Sequence, residues 1–233
     1  AGTWMSECEA TPGGPNRLRP AAPPPPPPRR VTVAQARALS EGAEVIIEGQ
    51  VTAPPPYFGR SIYVQDGTGG LNVYLVHGGW PDLSEGEQVR VVGRLDDVRG
   101  ERQVRIVNAT FLTRLGAAEP LRPQRVRSGE VGESFEGMLV LIFGQVIDLQ
   151  PDAMILDDGS GPARVYVRES TGWHRPRLHR GEWWAAVGVV SQYGTQRPYT
   201  DGHRLLPRYP ADLYPAPPPL LLPETGALSP PEP

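Results

Sequence analysis

Tyrosine side chains recur at matching points along this chain, and together with nearby arginine side chains they offer stacking and cationic chemistry. Tyr74 and Tyr166 each stand between two aliphatic residues, so strand alternation turns both rings away from a core. Such rings can stack on bases or sugars, and a neighbouring guanidinium can stack as well or contact phosphate. The candidate ligand or interface face consists of Tyr57, Phe58, Tyr63, Tyr74, Arg164, Tyr166 and Arg168. These side chains suit a nucleic-acid groove, a contact between domains or a surface for a proline-rich segment, and the three uses stay open.

Residue patterns for catalysis and metal binding are not found in the sequence. There is no nucleophile elbow, phosphate-binding loop or dinucleotide fingerprint, and the one cysteine, Cys8, has no histidine nearby. The Asp-Asp-Gly-Ser-Gly segment at 157–161 is interpreted as a hairpin turn and not as a calcium loop. The four histidines lack the spacing of a metal site: His77, His174, His179 and His203. We therefore expect no catalytic residue, no metal and no cofactor.

The charge balance argues against a strongly basic binding surface. The formal net charge is -3, so no overall positive field draws the protein to phosphate backbones. All 23 basic residues are arginine, which excludes chemistry that needs a lysine amine. This arginine-only usage is typical of a GC-rich thermophile. Nucleic acid is therefore a possible partner but not the favoured one.

An internal repeat sets the domain organisation. At an offset of 95, residues 45–51 match residues 140–146, and both segments carry a Gly-Gln-Val sequence. At an offset of 92, residues 62–75 match residues 154–167 across an Asp-Gly turn. The length changes fall in loops, which is what a duplicated fold permits. The repeat predicts two domains of one fold.

Each copy is predicted to contain five short strands and tight turns. We expect the central glycine of the first strand, Gly49 or Gly144, to form a bulge that bends this strand around a barrel. Before the first strand, Val33, Ala36 and Leu39 share a helical face. The fourth and last strands are expected at 89–92 and near 104–112 in copy one, and at 185–190 and near 204–213 in copy two.

Four segments of the sequence resemble a known fold. YVQDGTGGLNVYL and LSEGEQVRVVGRL in copy one, with LDDGSGPARVYV and LHRGEWWAAVGVV in copy two, resemble OB-fold modules. Such modules occur in secreted bacterial proteins and in nucleic-acid-binding domains. The resemblance covers about residues 30–214 and implies an all-β chain of two tandem five-stranded OB-type barrels. It implies less about function, because OB barrels bind oligonucleotides or oligosaccharides or serve as scaffolds.

Proline-rich tails flank the predicted barrels. The expected organisation is a tail at 1–29, OB domain 1 at 30–116, a linker at 117–124, OB domain 2 at 125–214 and a tail at 215–233. Proline runs favour extended polyproline II structure, which can lie along another subunit. The expected docking anchors are Trp4, Met5, Cys8, Leu220, Leu221 and Leu222. The Leu-Pro-Glu-Thr-Gly segment at 222–226 matches a sortase recognition pentapeptide, a match that a working signal, an added tag or chance would explain.

These features lead to a structural hypothesis and a binding alternative. The leading hypothesis is a secreted, non-enzymatic subunit of an extracellular fibre or surface layer, built head to tail through the tails. The missing initiating Met favours a mature secreted chain, and Asn108 lies in an Asn-Ala-Thr acceptor pattern for a possible glycan. The alternative is an extracellular OB module that binds single-stranded nucleic acid or glycan. An OB-type nuclease is a third possibility, although no motif singles out its catalytic set.

Overall fold

The structure is a computed structural model that describes residues 8–9, 17–18, 27–173 and 178–218. Two seven-stranded sheets dominate it, and each is built from one copy of the repeat. A short antiparallel pair, β1 (Cys8–Glu9) with β2 (Arg17–Leu18), precedes them. Among the described residues, no helix has the length and apolar character needed to span a bilayer.

The first copy forms barrel 1. Its elements are β3 (Arg29–Arg30), α1 (Val33–Ala38), β4 (Glu44–Ala53), β5 (Ser61–Asp66), β6 (Gly69–Leu75), β7 (Glu87–Val98), β8 (Glu101–Ile106) and β9 (Leu112–Ala117). The second copy forms barrel 2. Its strands are β10 (Gln124–Arg125), β11 (Leu139–Gln150), β12 (Ala153–Asp157), β13 (Pro162–Tyr166), β14 (Trp183–Gln192), β15 (His203–Leu206) and β16 (Leu213–Pro215).

Strand order identifies both barrels as OB-type. In barrel 1 the hydrogen-bonded order is β4-β5-β6-β8-β7, and β7 pairs with β4 to close the barrel. Barrel 2 repeats the order as β11-β12-β13-β15-β14, with β14 closing on β11. In each barrel the third and fifth strands run parallel, while the other barrel pairs are antiparallel. The predicted all-β architecture of two five-stranded OB-type barrels is confirmed.

Alternation along the strands fills the interior of each barrel. Barrel 1 buries Ile47, Ile62 and Leu71 completely, and barrel 2 does the same with Ile142 and Leu156. Burying such a side chain contributes about 1.5–3 kcal/mol each, so these positions hold the barrels closed. The predicted amphipathic turn is α1, whose Val33 and Ala36 are also fully buried.

The glycine in the first strand does not form the predicted bulge but allows close packing. A Cβ at Gly49 would lie 2.8 Å from the carbonyl oxygen of Gln65, and one at Gly144 would lie 2.7 Å from the amide of Asp157. The register shifts come later, after Val51 in β4 and after Val146 in β11. The two glycines therefore permit close approach of the second strand, and the bulge is formed by the residues that follow.

The predicted last strands are each divided into two. In barrel 1, β8 ends at Ile106 and a 3-10 turn at Ala109–Phe111 separates it from β9. The side chain of Asn108 caps this turn by accepting from the amide of Thr110 at 2.9 Å. Barrel 2 has the same break, with a 3-10 turn at Pro210–Asp212 between β15 and β16. After each turn the chain pairs with the first half of the fourth strand, on the edge opposite the first strand.

The two barrels pack directly on one another through an apolar cluster. Barrel 2 contributes outward-facing residues of β11, β14 and the end of β15, and barrel 1 contributes the end of β4, the loop after it and β5. The buried members are Ala53, Phe58, Tyr63, Leu139, Leu141, Phe143, Ala185, Val187, Val189 and Leu206. The backbones of Gly70 and Gly137 are so close that a Cβ on Gly137 would lie 2.3 Å from the carbonyl carbon of Gly70.

A buried arginine stabilises one edge of this contact by bonding to both barrels. The Arg208 guanidinium donates two hydrogen bonds of 2.9 Å to the Asp212 carboxylate within barrel 2. It also donates to Glu85 and to the carbonyl of Thr52 in barrel 1, both at 2.9 Å. Because the side chains of Arg208 and Asp212 are 5% and 3% exposed, this clamp is shielded from solvent.

Candidate functional site

The second and third strands of barrel 1 present a face that barrel 2 covers. Tyr63 is 2% exposed and Phe58 is 3% exposed, and their rings meet edge to face at 5.6 Å. Both belong to the apolar cluster between the barrels. Of the three uses left open by the sequence, the structure places these two side chains in the contact between domains.

Polar groups on the covered face are satisfied internally. The Tyr63 hydroxyl donates to Glu101 Oε1 at 2.6 Å, and Asn72 Nδ2 donates to Glu101 Oε2 at 3.1 Å. Burial raises the pKa of Glu101, although hydrogen bonds from Tyr63, Ser191 and Asn72 partly offset it. Burial, followed by the charge of Glu101, raises the pKa of Tyr63 well above its ordinary value. Tyr63 therefore remains a protonated donor inside the contact.

Two further predicted face residues lie at the rim of the same contact. The Tyr57 ring is 5.8 Å from the Tyr209 ring, and its carbonyl oxygen accepts a 2.5 Å hydrogen bond from Ser170. The Arg168 guanidinium lies 5.8 Å from the centroid of the Phe58 ring. Both residues join the loop before β5 to the segment after β13.

Tyr74 lies outside this contact cluster, and among the described residues one arginine lies over its ring. The guanidinium of Arg105 is 5.8 Å from its ring centroid. That guanidinium is paired with Asp96 at 3.0 Å, so part of its charge is already neutralised. Barrel 1 thus has only a short aromatic and cationic feature here.

Barrel 2 carries a longer feature, a continuous alternation of guanidinium groups and tyrosine rings. The Tyr166 ring has Arg164 at 5.7 Å and Arg204 at 4.7 Å from its centroid. Arg204 also lies 5.3 Å from the Tyr193 ring, and Arg99 of barrel 1 lies 4.7 Å from that ring. We call these residues, Arg164, Tyr166, Arg204, Tyr193 and Arg99, the Arg–Tyr run. Tyr193 is 48% exposed, so the run reaches solvent.

The OB strand order explains how this run is assembled. Arg164 and Tyr166 alternate outward on β13, while Val165 between them is fully buried. Strand β15 runs parallel to β13 with Leu205 beside Val165, which brings Arg204 onto the same face. The run therefore follows the outer face of the third and fifth strands.

Loops supply the remaining members of the run. Tyr193 begins the loop between β14 and β15, and the next residue, Gly194, donates its amide to the Arg99 carbonyl at 2.7 Å. The loop is held from inside, because Gln192 Nε2 donates to the carbonyls of Tyr199 and Asp201 at 2.7 and 2.8 Å. The same loop carries a second pair, with the Arg197 guanidinium 5.3 Å from the Tyr199 ring.

Charge on the run is only partly neutralised. Arg164 Nη2 is paired with Asp152 at 3.0 Å. In the part of the chain that the structure describes, the buried Nε of Arg204 has no hydrogen-bond partner. Arg99 is exposed, and its guanidinium contacts the carbonyl of Gly194 at 3.5 Å. The charge of Arg204 also acts on the Glu101 carboxylate, so Arg99 is the member of the run whose guanidinium is most open to a ligand.

Sequence reasoning found Arg164 and Tyr166 but missed the other three members of the run. Arg204 could have been found, because the OB order places the fifth strand beside the third. Tyr193 and Arg99 had no such signal, since their approach depends on how two loops of different barrels meet. The predicted anchors Trp4, Met5, Leu220, Leu221 and Leu222 lie outside the described residues, and for Cys8 only the backbone pairing with Leu18 is described.

Potential metal ligands also come together in barrel 2. Ligand atoms of Glu133, Glu136 and His203 lie within 4.8 Å of one another. His179 is instead paired with Glu182 at 3.0 Å, and His77 is exposed. Sequence reasoning did not assign His203 to a metal site, because Glu133 and Glu136 are distant from it along the chain.

Comparison with known proteins finds a relative among nucleases. No family model matches the chain. Endonuclease YhcR of Bacillus subtilis (strain 168) is 31% identical over 213 residues, covering 82% of this chain. The chain spans 17% of the length of that relative. Our prediction that the chain has no enzymatic role is contradicted by this match and is corrected.

Solved structures to which this chain is similar include a single-stranded DNA binding protein from Thermus aquaticus. It is 16% identical, and the match covers 76% of this chain and 94% of that one with a TM-score of 0.23. The hypothetical protein YgiW from E. coli is 17% identical over 37% of this chain and 90% of that one, with a TM-score of 0.31. At such scores the likeness carries no argument, and the OB assignment rests on strand order.

Proposed function

We propose that this chain is the part of an endonuclease that binds single-stranded nucleic acid, and that the Arg–Tyr run of barrel 2 is its binding surface. The observation that carries the proposal is the uninterrupted alternation from Arg164 to Arg99 across five side chains and two barrels. The relative named as an endonuclease supports it, since a nuclease must hold its substrate.

Single-stranded nucleic acid suits this surface because unpaired bases expose their faces. Each base stacked on an aromatic side chain contributes about 1–3 kcal/mol, and arginine planes can stack as well. Tyr193, which is 48% exposed, and Tyr166, which is partly buried, provide two rings for stacking. Arg99 is exposed beside the Tyr193 ring and can contact the phosphates that connect the bases.

The net charge of -3 limits the electrostatic part of binding. Arg99 and Arg197 are exposed and Arg164 is partly neutralised, so this surface can neutralise about two or three phosphates. For single strands this predicts a slope of log affinity against log salt concentration of about -1 to -2. We expect moderate affinity with a large stacking component.

The test is a titration of a fluorescent single-stranded oligonucleotide, as DNA and as RNA, with the 233-residue chain. Tyr193→Ala removes an exposed ring and should weaken binding by about 5- to 140-fold, which corresponds to the loss of one stacked base. Tyr74→Ala, at the matching position in barrel 1 to Tyr166, is the control and should bind as the parent chain does.

Equal affinities for the parent chain, Tyr193→Ala and an Arg204→Gln variant would rule out this surface. The same mixtures, incubated with divalent cations and separated on denaturing gels, report strand cleavage in addition to binding.

An extracellular location, assembly through the tails and a glycan on Asn108 stay predictions. The tails that would drive assembly lie largely outside the described residues, and the relatives reported above give the fibre hypothesis no support.

A further inference from the structure

Three side chains with metal-binding atoms converge where barrel 2 meets α1 of barrel 1. Glu133 begins a 3-10 turn, Glu133–Phe135, and Glu136 directly follows it. His203 is the first residue of β15. Their ligand atoms all lie within 4.8 Å of one another, which is the spacing of groups that share one ion.

The hydrogen bonds divide the oxygen atoms of the two carboxylates into two sets. Arg37 of α1 donates to Oε1 of Glu133 and to Oε1 of Glu136, both at 2.7 Å. The amide of Arg102 also donates to Oε1 of Glu136, at 3.1 Å. The Oε2 atoms of both carboxylates are not used by these bonds.

One of these unused atoms lies near a histidine nitrogen, and the other is buried without a partner in the described part of the chain. Oε2 of Glu133 lies 3.6 Å from Nε2 of His203. Oε2 of Glu136 and Nε2 of His203 are buried, and neither has a hydrogen-bond partner among the described residues. The Glu136 side chain is 1% exposed, so its free oxygen cannot turn to bulk water.

A buried carboxylate oxygen without a hydrogen-bond partner destabilises the folded state, and so does a pair of acceptors that face each other. Arg37 supplies one positive charge to two carboxylates and reaches only their Oε1 atoms. A cation between the two Oε2 atoms and the imidazole nitrogen would satisfy all three. We propose that Glu133, Glu136 and His203 bind a divalent transition-metal ion.

The ligand set indicates which ions fit. Two carboxylate oxygens with one imidazole nitrogen suit Zn²⁺ or Mn²⁺, whereas Mg²⁺ and Ca²⁺ prefer oxygen ligands alone. Three protein ligands leave at least one coordination position for water. Arg37 acts as an outer partner that orients both carboxylates, the role that hydrogen-bonding neighbours play around metal ligands.

The position of the site links the two barrels. All three ligands belong to barrel 2, while Arg37 and Arg102 belong to barrel 1. Bound metal would therefore stabilise the contact between the barrels as well as barrel 2 itself. His203 also precedes Arg204 of the Arg–Tyr run, although the metal site does not depend on nucleic-acid binding.

The competing explanation is an ion cluster held together by protons. Burial raises the pKa of Glu136 to about 7, despite the lowering effect of Arg37. In that case a proton shared among the carboxylates and His203 would satisfy the same atoms, and no metal would bind here. The two explanations differ in a direct measurement of metal affinity.

The experiment is isothermal titration of the chelator-treated full chain with Zn²⁺, and separately with Mn²⁺ and Mg²⁺. We expect one site for Zn²⁺ or Mn²⁺, much weaker binding of Mg²⁺, and a rise in Tm on adding the bound ion. Replacing a ligand should cost more than replacing an outer partner, so His203→Gln and Glu133→Gln should each weaken binding by more than about tenfold.

Glu133→Gln is the safer variant because the Glu133 side chain is 70% exposed, and unfolding of each variant without metal checks that it folds. His179→Gln is the matched control, since His179 also pairs with a glutamate but lies in another part of barrel 2. Absence of binding, or equal affinity in the parent chain and in His203→Gln, would overturn the proposal and leave a proton-held cluster.

Discussion

The two barrels share one strand order, but the same outer face is covered in barrel 1 and partly exposed in barrel 2. In barrel 1 the outer side of β5 and β6 is covered by barrel 2, and its Tyr63 and Asn72 are buried. In barrel 2 the matching side carries Arg164 and Tyr166, which are both partly exposed, although the Tyr166 ring also packs against the cluster between the barrels. After duplication, one copy of this face is buried in the contact and the other is partly open.

The sequence difference behind this contrast is small. Asn72 of barrel 1 occupies the repeat position of Arg164. By the parallel register of the third and fifth strands, Gln103 occupies the position of Arg204. Asn72 and Gln103 are short enough to be buried, whereas two arginines would place unpaired charge against the neighbouring barrel. Charge at two positions therefore decides which face can be covered.

The largest effect should come from opening the covered face. Arg208→Met would leave Asp212 buried without its partner, and loss of one member of such a pair costs about 3–5 kcal/mol. Chemical denaturation should show this loss in the free energy of unfolding. The control is Arg122→Met, at an exposed arginine in the segment that links the barrels. It should change the free energy of unfolding by less than about 0.5 kcal/mol.

Gly137→Ala should separate the barrels at a point where their backbones approach closely. Its Cβ would lie 2.3 Å from the carbonyl carbon of Gly70, so we expect a loss of about 1–3 kcal/mol in the free energy of unfolding. Gly172→Ala is the matched control, because its φ of 69° is similar and nothing lies within 4 Å of its Cβ position. If both variants lost the same amount, backbone strain would explain the result without the barrel contact.

Making barrel 2 resemble barrel 1 should weaken the proposed binding. Arg164→Asn with Arg204→Gln places the barrel 1 residues on the open face and removes the cations beside Tyr166. We expect a loss of about 1–2 kcal/mol in oligonucleotide binding and a salt slope reduced by about one. Arg105→Gln, beside Tyr74 in barrel 1, should leave both quantities unchanged in the same titration.

The smallest effect should be a change in pH dependence at the covered face. Burial raises the pKa of Glu101, whose carboxylate faces Tyr63, Asn72, Ser191 and Arg204. A raised pKa means that the folded state holds this proton more tightly than the unfolded state. The resulting stability is full below the ordinary glutamate pKa and is lost as pH rises through the raised value.

Glu101→Gln should remove that component. Denaturation series between about pH 4 and about pH 8 should then show a smaller fall in stability with rising pH than the parent chain shows. An unchanged profile would mean that Glu101 is solvated and that the covered face is more open than the structure indicates.

Local patterns were sufficient to predict the barrels but not what lies between them. The repeat, the Asp-Gly turns and the alternation around Tyr166 led to the fold and to part of the site. The burial of Tyr63 could not be predicted, because it depends on which surface of barrel 2 docks there. The approach of Glu136 to His203 was equally hidden, since no sequence spacing joins residues that only the barrel closure brings together.

The central claim is that nucleic acid contacts the open face of barrel 2 and not the covered face of barrel 1. Photo-crosslinking of the full chain to a single-stranded oligonucleotide containing 5-iodouracil, followed by peptide mass spectrometry, tests this directly. The account predicts adducts on Tyr193 and Tyr166 with Tyr63 unmodified. Adducts on Tyr74 or Tyr63, with none on the Arg–Tyr run, would contradict it.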